Sequence, residues 1–173
     1  MQDTSLSGYI DGLYGYAMAL ARNPTEAEDL VQETYVRAIG AMGSLRADSN
    51  VKSWLFTILR NIWLNQLRQR RTTPKLIELD VDESTADIAI DRSKDPLAIY
   101  VSKTESEWVR EAIQQLPLEF REIILLREYE ELSYQEIATL LDCPPGTVMS
   151  RLARARAKLR TLLSSIGKPA QQR

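Results

Sequence analysis

The side chains able to do chemistry in this chain are bases, amides and aromatics, and the groups that catalysis or metal binding uses are nearly missing. Among 173 residues there is no histidine and one cysteine, Cys143. A zinc site or a histidine-dependent triad has nothing to be built from. There is no nucleophile paired with a base and no glycine-rich phosphate loop, so no cofactor, metal or catalytic residue is expected, and an enzyme is the poorest reading. The net charge of −2 hides a segregation. Residues 45–75 hold seven bases (Arg46, Lys52, Arg60, Arg68, Arg70, Arg71, Lys75) against one acid, Asp48. Residues 147–173 hold seven bases and no acid, whereas residues 76–142 hold 17 acids against six bases. Two basic blocks flanking an acidic one point to two anion-facing surfaces on separate modules.

The second block lies on a helix whose faces differ in chemistry. Over Thr147 to Leu163, the helical period puts Val148, Leu152, Ala155, Leu159, Leu162 and Leu163 on one apolar stripe. Met149, Ser150, Ala153, Arg154, Ala157 and Arg160 fall opposite. That face offers a hydroxyl, a guanidinium able to make two parallel hydrogen bonds to a base edge, and small residues that allow close approach to a groove. Arg151, Arg156 and Lys158 flank the stripe and suit phosphates. A short helix from the capping box Ser133-Tyr134-Gln135-Glu136 to Leu141 precedes it, joined through Asp142-Cys143-Pro144-Pro145-Gly146. Two helices on a tight turn with an acid-free second helix form a DNA-reading helix-turn-helix.

The first block coincides with a helix from Val51 to about Arg71, whose apolar positions are Val51, Trp54, Leu55, Ile58, Leu59 and Ile62. Trp54, Phe56 and Trp63 stand beside Arg68, Arg70 and Arg71. Aromatics next to cations can stack the bases of single strands, and Asn61 and Asn65, one turn apart, can pair with base edges. Spacing alone favours the plainer alternative, in which both tryptophans are core and both asparagines ordinary surface residues.

The elements that position these groups are helical throughout. An aromatic-rich helix runs from Tyr9 to Arg22, and Thr25-Glu26-Ala27-Glu28 after Pro24 reads as a capping box opening a helix to about Met42. Residues 73–95 are rich in Asp, Glu, Ser and Thr and read as a flexible linker. Asp95-Pro96 opens a helix to about Leu116, Pro117 breaks it, and Leu118 to Glu128 forms the next. The expected fold is all-α: two small helical domains joined by a flexible acidic linker, the C-terminal one a helix-turn-helix, divided as 1–72, 73–95 and 96–168.

These residues resemble a known family. Ala27-Glu28-Asp29-Leu30-Val31-Gln32-Glu33-Thr34, with Trp54-Leu55 and Arg60-Asn61, resembles the second conserved region of bacterial sigma factors. Leu116-Pro117, Arg121-Glu122, Leu132 to Ala138 and Pro144 to Arg151 resemble the fourth. Two such regions with only a linker between them are similar to the extracytoplasmic-function group. The resemblance implies a dissociable RNA polymerase subunit that recognises promoter DNA, as duplex and as single strand, and assists its melting. It implies that Asp29, Gln32 and Glu33 dock on the clamp helices of the largest core subunit, with the flap as a further contact. Lys52, Trp54, Arg60, Asn61 and Asn65 would hold the minus-ten element, and Arg127, Met149, Ser150, Arg151 and Arg154 the minus-thirty-five element. An anti-sigma factor is implied as a regulator. Met149 stands where the family commonly carries a basic residue, and Ala153 where it carries larger ones, which implies an individual promoter preference.

Other readings are a conventional helix-turn-helix repressor or activator, and a sigma mimic that titrates an anti-sigma factor. The first needs no Trp-rich basic helix, and the second should lack the groove-facing bases. No stretch approaches the ~20 apolar residues that span a bilayer. Met1-Gln2-Asp3-Thr4-Ser5 lacks the order of a signal peptide, so the expected compartment is the cytoplasm, without membrane insertion.

Overall fold

The computed structural model describes residues 5–72 and 107–166. The linker 73–95 and the helix start at Asp95-Pro96 lie outside the described residues. After a 3-10 turn at Leu6–Tyr9, three helices form the N-terminal half: α1 Ile10–Ala21, α2 Pro24–Ala41 and α3 Val51–Thr72. The C-terminal half contains α4 Glu107–Gln115, α5 Leu118–Ile124, α6 Tyr134–Leu141 and α7 Pro145–Ile166. Among the described residues there is no strand. No helix among them is long and apolar enough to cross a membrane.

Two helix starts differ from the sequence reading, and so do two helix ends: α7 runs on to Ile166, and the helix begun at Leu118 changes type. Asn23, not Thr25, caps α2: its side-chain oxygen accepts from the backbone N–H of Thr25 at 2.9 Å and of Glu26 at 3.2 Å. Pro24 then occupies the first helical position, where its missing N–H costs nothing. The same rule moves the start of α7 back to Pro145, with Val148 N–H reaching Pro144 O. The helix begun at Leu118 does not run on as α-helix to Glu128. It passes into a π-helical turn, Leu125–Tyr129, in which Glu130 N–H bonds Leu125 O, five residues back, at 3.0 Å.

The capping box of α6 is formed as the sequence indicates. Ser133 Oγ accepts from Glu136 N–H at 3.1 Å, and Glu136 Oε2 accepts from Ser133 N–H at 2.8 Å. On α7 the apolar stripe is buried as expected at Val148, Leu152 and Ala155, with Leu159 and Leu162 packed against its edge.

The two halves do not stand apart. Leu13, Tyr16 and Leu20 of α1 belong to one apolar cluster with Leu55, Phe56 and Leu59 of α3, with Ile123 and Ile124 of α5 and with Leu126 just beyond it. α1 is buried almost all round, at Leu13 and at every residue from Gly15 to Leu20, because helices of both halves cover it. A helix with apolar residues on every side is stable only where it is enclosed, and α1 carries a single acid, Asp11, and no base. It is the shared centre of the molecule.

Candidate nucleic-acid interface

The C-terminal surface follows from α7's orientation. With Val148, Leu152 and Ala155 inward, the first turns present Met149, Ser150, Ala153 and Arg154 to solvent, and Arg151 lies at the margin, half-buried. Ser150 Oγ bonds Thr147 O at 3.1 Å. The Arg154 guanidinium rests 5.9 Å above the Phe120 ring, a contact loose enough to leave its donors outward. Arg156 pairs with Glu128, and that carboxylate outweighs burial in raising its pKa.

Arg127 is placed differently from the other expected minus-thirty-five residues. Its Nη1 donates to Leu132 O at 2.9 Å, and its guanidinium lies 4.9 Å from the centre of the Tyr134 ring. It holds the turn between the π-helical segment and α6, and so braces the helix pair from behind.

On the N-terminal half, α2 exposes Asp29 and Gln32, with Glu33 half-buried beside Arg37. Val36 and Ile39 continue along the same helix and are 70% and 65% exposed, an apolar extension of this polar row that single-residue reasoning missed. Their signal was in the sequence: two large aliphatic residues outside the buried positions Leu30, Val31 and Ala38.

α3 divides its candidate residues between core, surface and the other half of the molecule. Phe56 is fully buried and Trp63 nearly so, whereas Trp54 is half-buried at the edge of the core. Asn61 and Asn65 are exposed, and Asn65 accepts from Arg68. Lys52 Nζ lies 2.6 Å from Glu130 Oε2, and Arg60 Nε lies 2.6 Å from Glu122 Oε1. Asn50 caps α3 by accepting from Ser53 N–H at 3.3 Å, and its amide donates to Glu136. Three polar groups of α3 and its cap, Asn50, Lys52 and Arg60, thus face three carboxylates of the C-terminal half.

Buried polar groups cluster at this junction. Tyr16 Oη donates to Glu122 Oε1 at 2.5 Å, and burial followed by the Glu122 charge raises the phenol well above its usual pKa. Burial lowers Arg60, but Glu122 more than offsets this and the net shift is upward. Arg121, almost fully buried, donates to Ala19 O at 2.7 Å and Leu116 O at 2.9 Å. Burial, and then the nearby charge of Arg22, lower it to about 10, so it stays a cation at neutral pH. Arg22, at the left-handed cap of α1, donates to Gln114 O at 2.8 Å. Each half thereby supplies arginines to the unfilled carbonyls of the other.

Glu136 links the capping box to this junction. Burial pushes its carboxyl up, but Ser133, Asn50 and Lys52 outweigh it and hold the group below the usual range. A carboxyl with a depressed folded value adds stability that is complete above its ordinary pKa of 4.5 and fades as the pH falls through the folded value. Glu136→Gln keeps an oxygen able to accept from Ser133 N–H and removes only the charge. It should therefore cost about 0.2–1 kcal/mol near neutrality, the range of a partly exposed charge contact, and almost nothing in strong acid. Urea midpoints of both chains across that range check this. A gap that persists unchanged in acid would remove charge as its source.

The described residues contain no cluster of three or more acidic, histidine or cysteine side chains able to hold a metal. With the geometry set out, comparison with known proteins gives a consistent answer. Residues 7–73 match the model "Sigma-70 region 2", and residues 106–159 match "Sigma-70, region 4". The chain is 35% identical over 154 residues to the ECF RNA polymerase sigma factor EcfG of Rhodopseudomonas palustris, covering 89% of this chain and 80% of that protein. It is 34% identical over 151 residues to the RNA polymerase sigma-H factor of Pseudomonas aeruginosa, covering 86% and 78%. In structure it is similar to the sigma factor RpoE of Bartonella quintana, solved with the anti-sigma factor NepR: TM-score 0.67, 30% identity, 92% of this chain and 94% of that one. It also resembles CnrH, solved with the cytosolic domain of CnrY, at TM-score 0.59 and 25% identity over 92% and 85% of the two chains. Helical architecture, paired region matches and relatives matched over most of their length agree: the chain belongs to the extracytoplasmic-function RNA polymerase sigma factors, which direct promoter recognition.

Proposed function

We propose that the two halves divide promoter recognition, with residues 1–72 binding core polymerase and the minus-ten element and residues 96–168 binding the minus-thirty-five element. The observation that carries this reading is the exposed face of α7. Met149, Ser150, Ala153 and Arg154 lie opposite a fully buried stripe, behind a capped short helix and a tight turn. Ser150 and Arg154 read base edges, Arg151 clamps phosphate, and Met149 supplies an apolar contact of the kind that a thymine methyl accepts. Arg127 serves this surface by bracing the turn against Leu132 and Tyr134.

Asp29, Gln32 and Glu33 of α2 form the surface for the clamp helices of the polymerase's largest subunit, while the flap contacts the C-terminal half. On α3, Trp54, Asn61 and Asn65 hold unstacked bases of the minus-ten strand, with Lys52 and Arg60 on its phosphates. Holding an extruded base offsets the few kcal/mol of unstacking, so melting needs no nucleotide hydrolysis. Partnership with polymerase places the protein in the cytoplasm. An anti-sigma factor is a further partner, supported by the solved relative RpoE, held in complex with the anti-sigma factor NepR.

Run-off transcription with core polymerase is the test, and promoter-specific initiation is the expected result. Binding of duplex DNA without initiation would favour a conventional repressor. Arg154→Ala should cost about 1–3 kcal/mol at one promoter position, whereas a loss spread evenly over all sequences would make it a phosphate clamp. Asn61→Ala should impair melting, followed by permanganate reactivity of the opened strand, more than initial duplex binding. Equal effects on both would remove base capture from Asn61.

A further inference from the structure

The arginines of the C-terminal surface are held in two ways. Arg156 is held by charge: its Nε and Nη2 both donate to Glu128 Oε1, at 2.8 and 2.5 Å. Arg154 is not. Among the described residues no carboxylate pairs with it, and its guanidinium lies over the Phe120 ring. That ring comes from α5, a separate element, and it is firmly seated. It packs half-buried against the main apolar cluster, and Phe120 N–H bonds Pro117 O at 3.0 Å. The next residue, Arg121, is buried and anchored to Ala19 O and Leu116 O. The neighbours of Arg154 on α7 itself offer no such support. Ser150 and Ala157 are short, and Arg151 and Lys158 carry the same charge.

We infer, resting on the base-reading role given above to Arg154, that Phe120 is its positioning residue. The ring holds the guanidinium in one place on the exposed face before DNA arrives, and so sharpens discrimination at the base pair that Arg154 reads. A free arginine side chain loses rotamer freedom when it binds, and fixing it in advance removes part of that cost. The kind of partner matters. A carboxylate, as at Arg156, accepts the same N–H groups that a base edge needs and has to be displaced. An aromatic face attracts the cation through its ring electrons and leaves the in-plane donors free. Phe120 therefore orients the charge without competing for it.

The test is selection by holoenzyme, reconstituted from core polymerase and the full chain, on a duplex library randomised at both promoter elements. Sequencing of bound and unbound DNA gives the discrimination at each position. Phe120→Leu keeps an apolar side chain and removes the ring, with no change in charge. Discrimination at the one base pair that depends on Arg154, identified with Arg154→Ala, should fall about two- to fivefold, the range of an exposed cation–aromatic contact. The other positions should hold, and so should the salt dependence of binding, because no phosphate contact is lost. Phe120→Tyr keeps the ring and should keep the parent's discrimination. In an Arg154→Ala background, Phe120→Leu should leave affinity for the parent's selected sequence unchanged. A ring that only packs would lower it in both backgrounds.

Full discrimination in Phe120→Leu, a loss spread over all positions, a changed salt dependence, equal losses in the Tyr and Leu variants, or a loss that persists without Arg154 overturns the positioning role. Arg154→Ala in the parent chain reports separately on the reading beneath it. If that variant loses discrimination at one pair while Phe120→Leu loses none, the positioning role alone fails. If it loses discrimination at no pair, base reading by Arg154 fails and the positioning role with it.

Discussion

Replacing Phe56 with alanine destabilises the protein by about 3–5 kcal/mol, the range for truncating a buried aromatic. Phe56 is fully buried on α3, and its ring lies 5.3 Å from that of Tyr16 on α1 at a 40° tilt. Removing it deletes transfer energy and opens a void against Leu13, Leu55 and Leu59, which are fully buried in the same cluster. A domain of ordinary stability has about 5–15 kcal/mol in all, so the variant should be partly unfolded at modest urea concentrations. Equilibrium unfolding by far-UV circular dichroism measures this. A loss below about 1 kcal/mol would mean that the bundle collapses over the vacancy, and that Phe56 is not a keystone of the core.

Glu122→Ala is expected to cost a similar amount for a different reason. Breaking a buried ion pair from one side costs about 3–5 kcal/mol because the remaining charge keeps its desolvation and loses its partner. Here the stranded groups are Arg60 and the fully buried Tyr16 hydroxyl, both of which donate to the same carboxylate oxygen. The same principle predicts that the cost comes from the mismatch, not from absence of the pair. Tyr16→Phe, Arg60→Met and Glu122→Met combined should recover most of the lost stability, since apolar groups of similar volume need no partners. A triple variant as unstable as Glu122→Ala would show that the network itself, and not its incomplete removal, sets the stability.

Features that rest on neighbouring residues were legible in the sequence. The Ser133-Glu136 capping box and the inward stripe of α7 depend on residues three or four apart, and both stand as read. The start of α2 was misplaced by two residues because Asn23 and Thr25 are both good caps flanking one proline, and only the accepted N–H groups separate them. The π-helical turn at Leu125–Tyr129 has no comparable local signature. The junction was the least visible part. Arg121 and Glu122 look like ordinary surface charges on an amphipathic helix, and their burial is decided by Ala19, Tyr16 and Arg60, at least sixty residues away. Arg127, which the resemblance places among the minus-thirty-five contacts, also donates to Leu132 O and lies over the Tyr134 ring, partners that no motif spacing announced. A hint was available in α1, which beyond Asp11 carries no charge and so is too apolar to lie open along its length.

The π-helical turn also fixes a rotational phase. Each residue of an α-helix advances the direction of the next by roughly 100°, so one residue accommodated in a wider turn re-aims everything beyond it. Glu130 follows directly on Leu125–Tyr129, and its direction toward Lys52 and Gly12 is set by that widened turn. Deleting one residue there would rotate the following acids by about a quarter turn or more, while leaving α6 and α7 their own cap and stripe. Which carboxylate meets which cation is therefore governed by a local count of residues. A single insertion or deletion in five positions could re-pair the two halves without redesigning either.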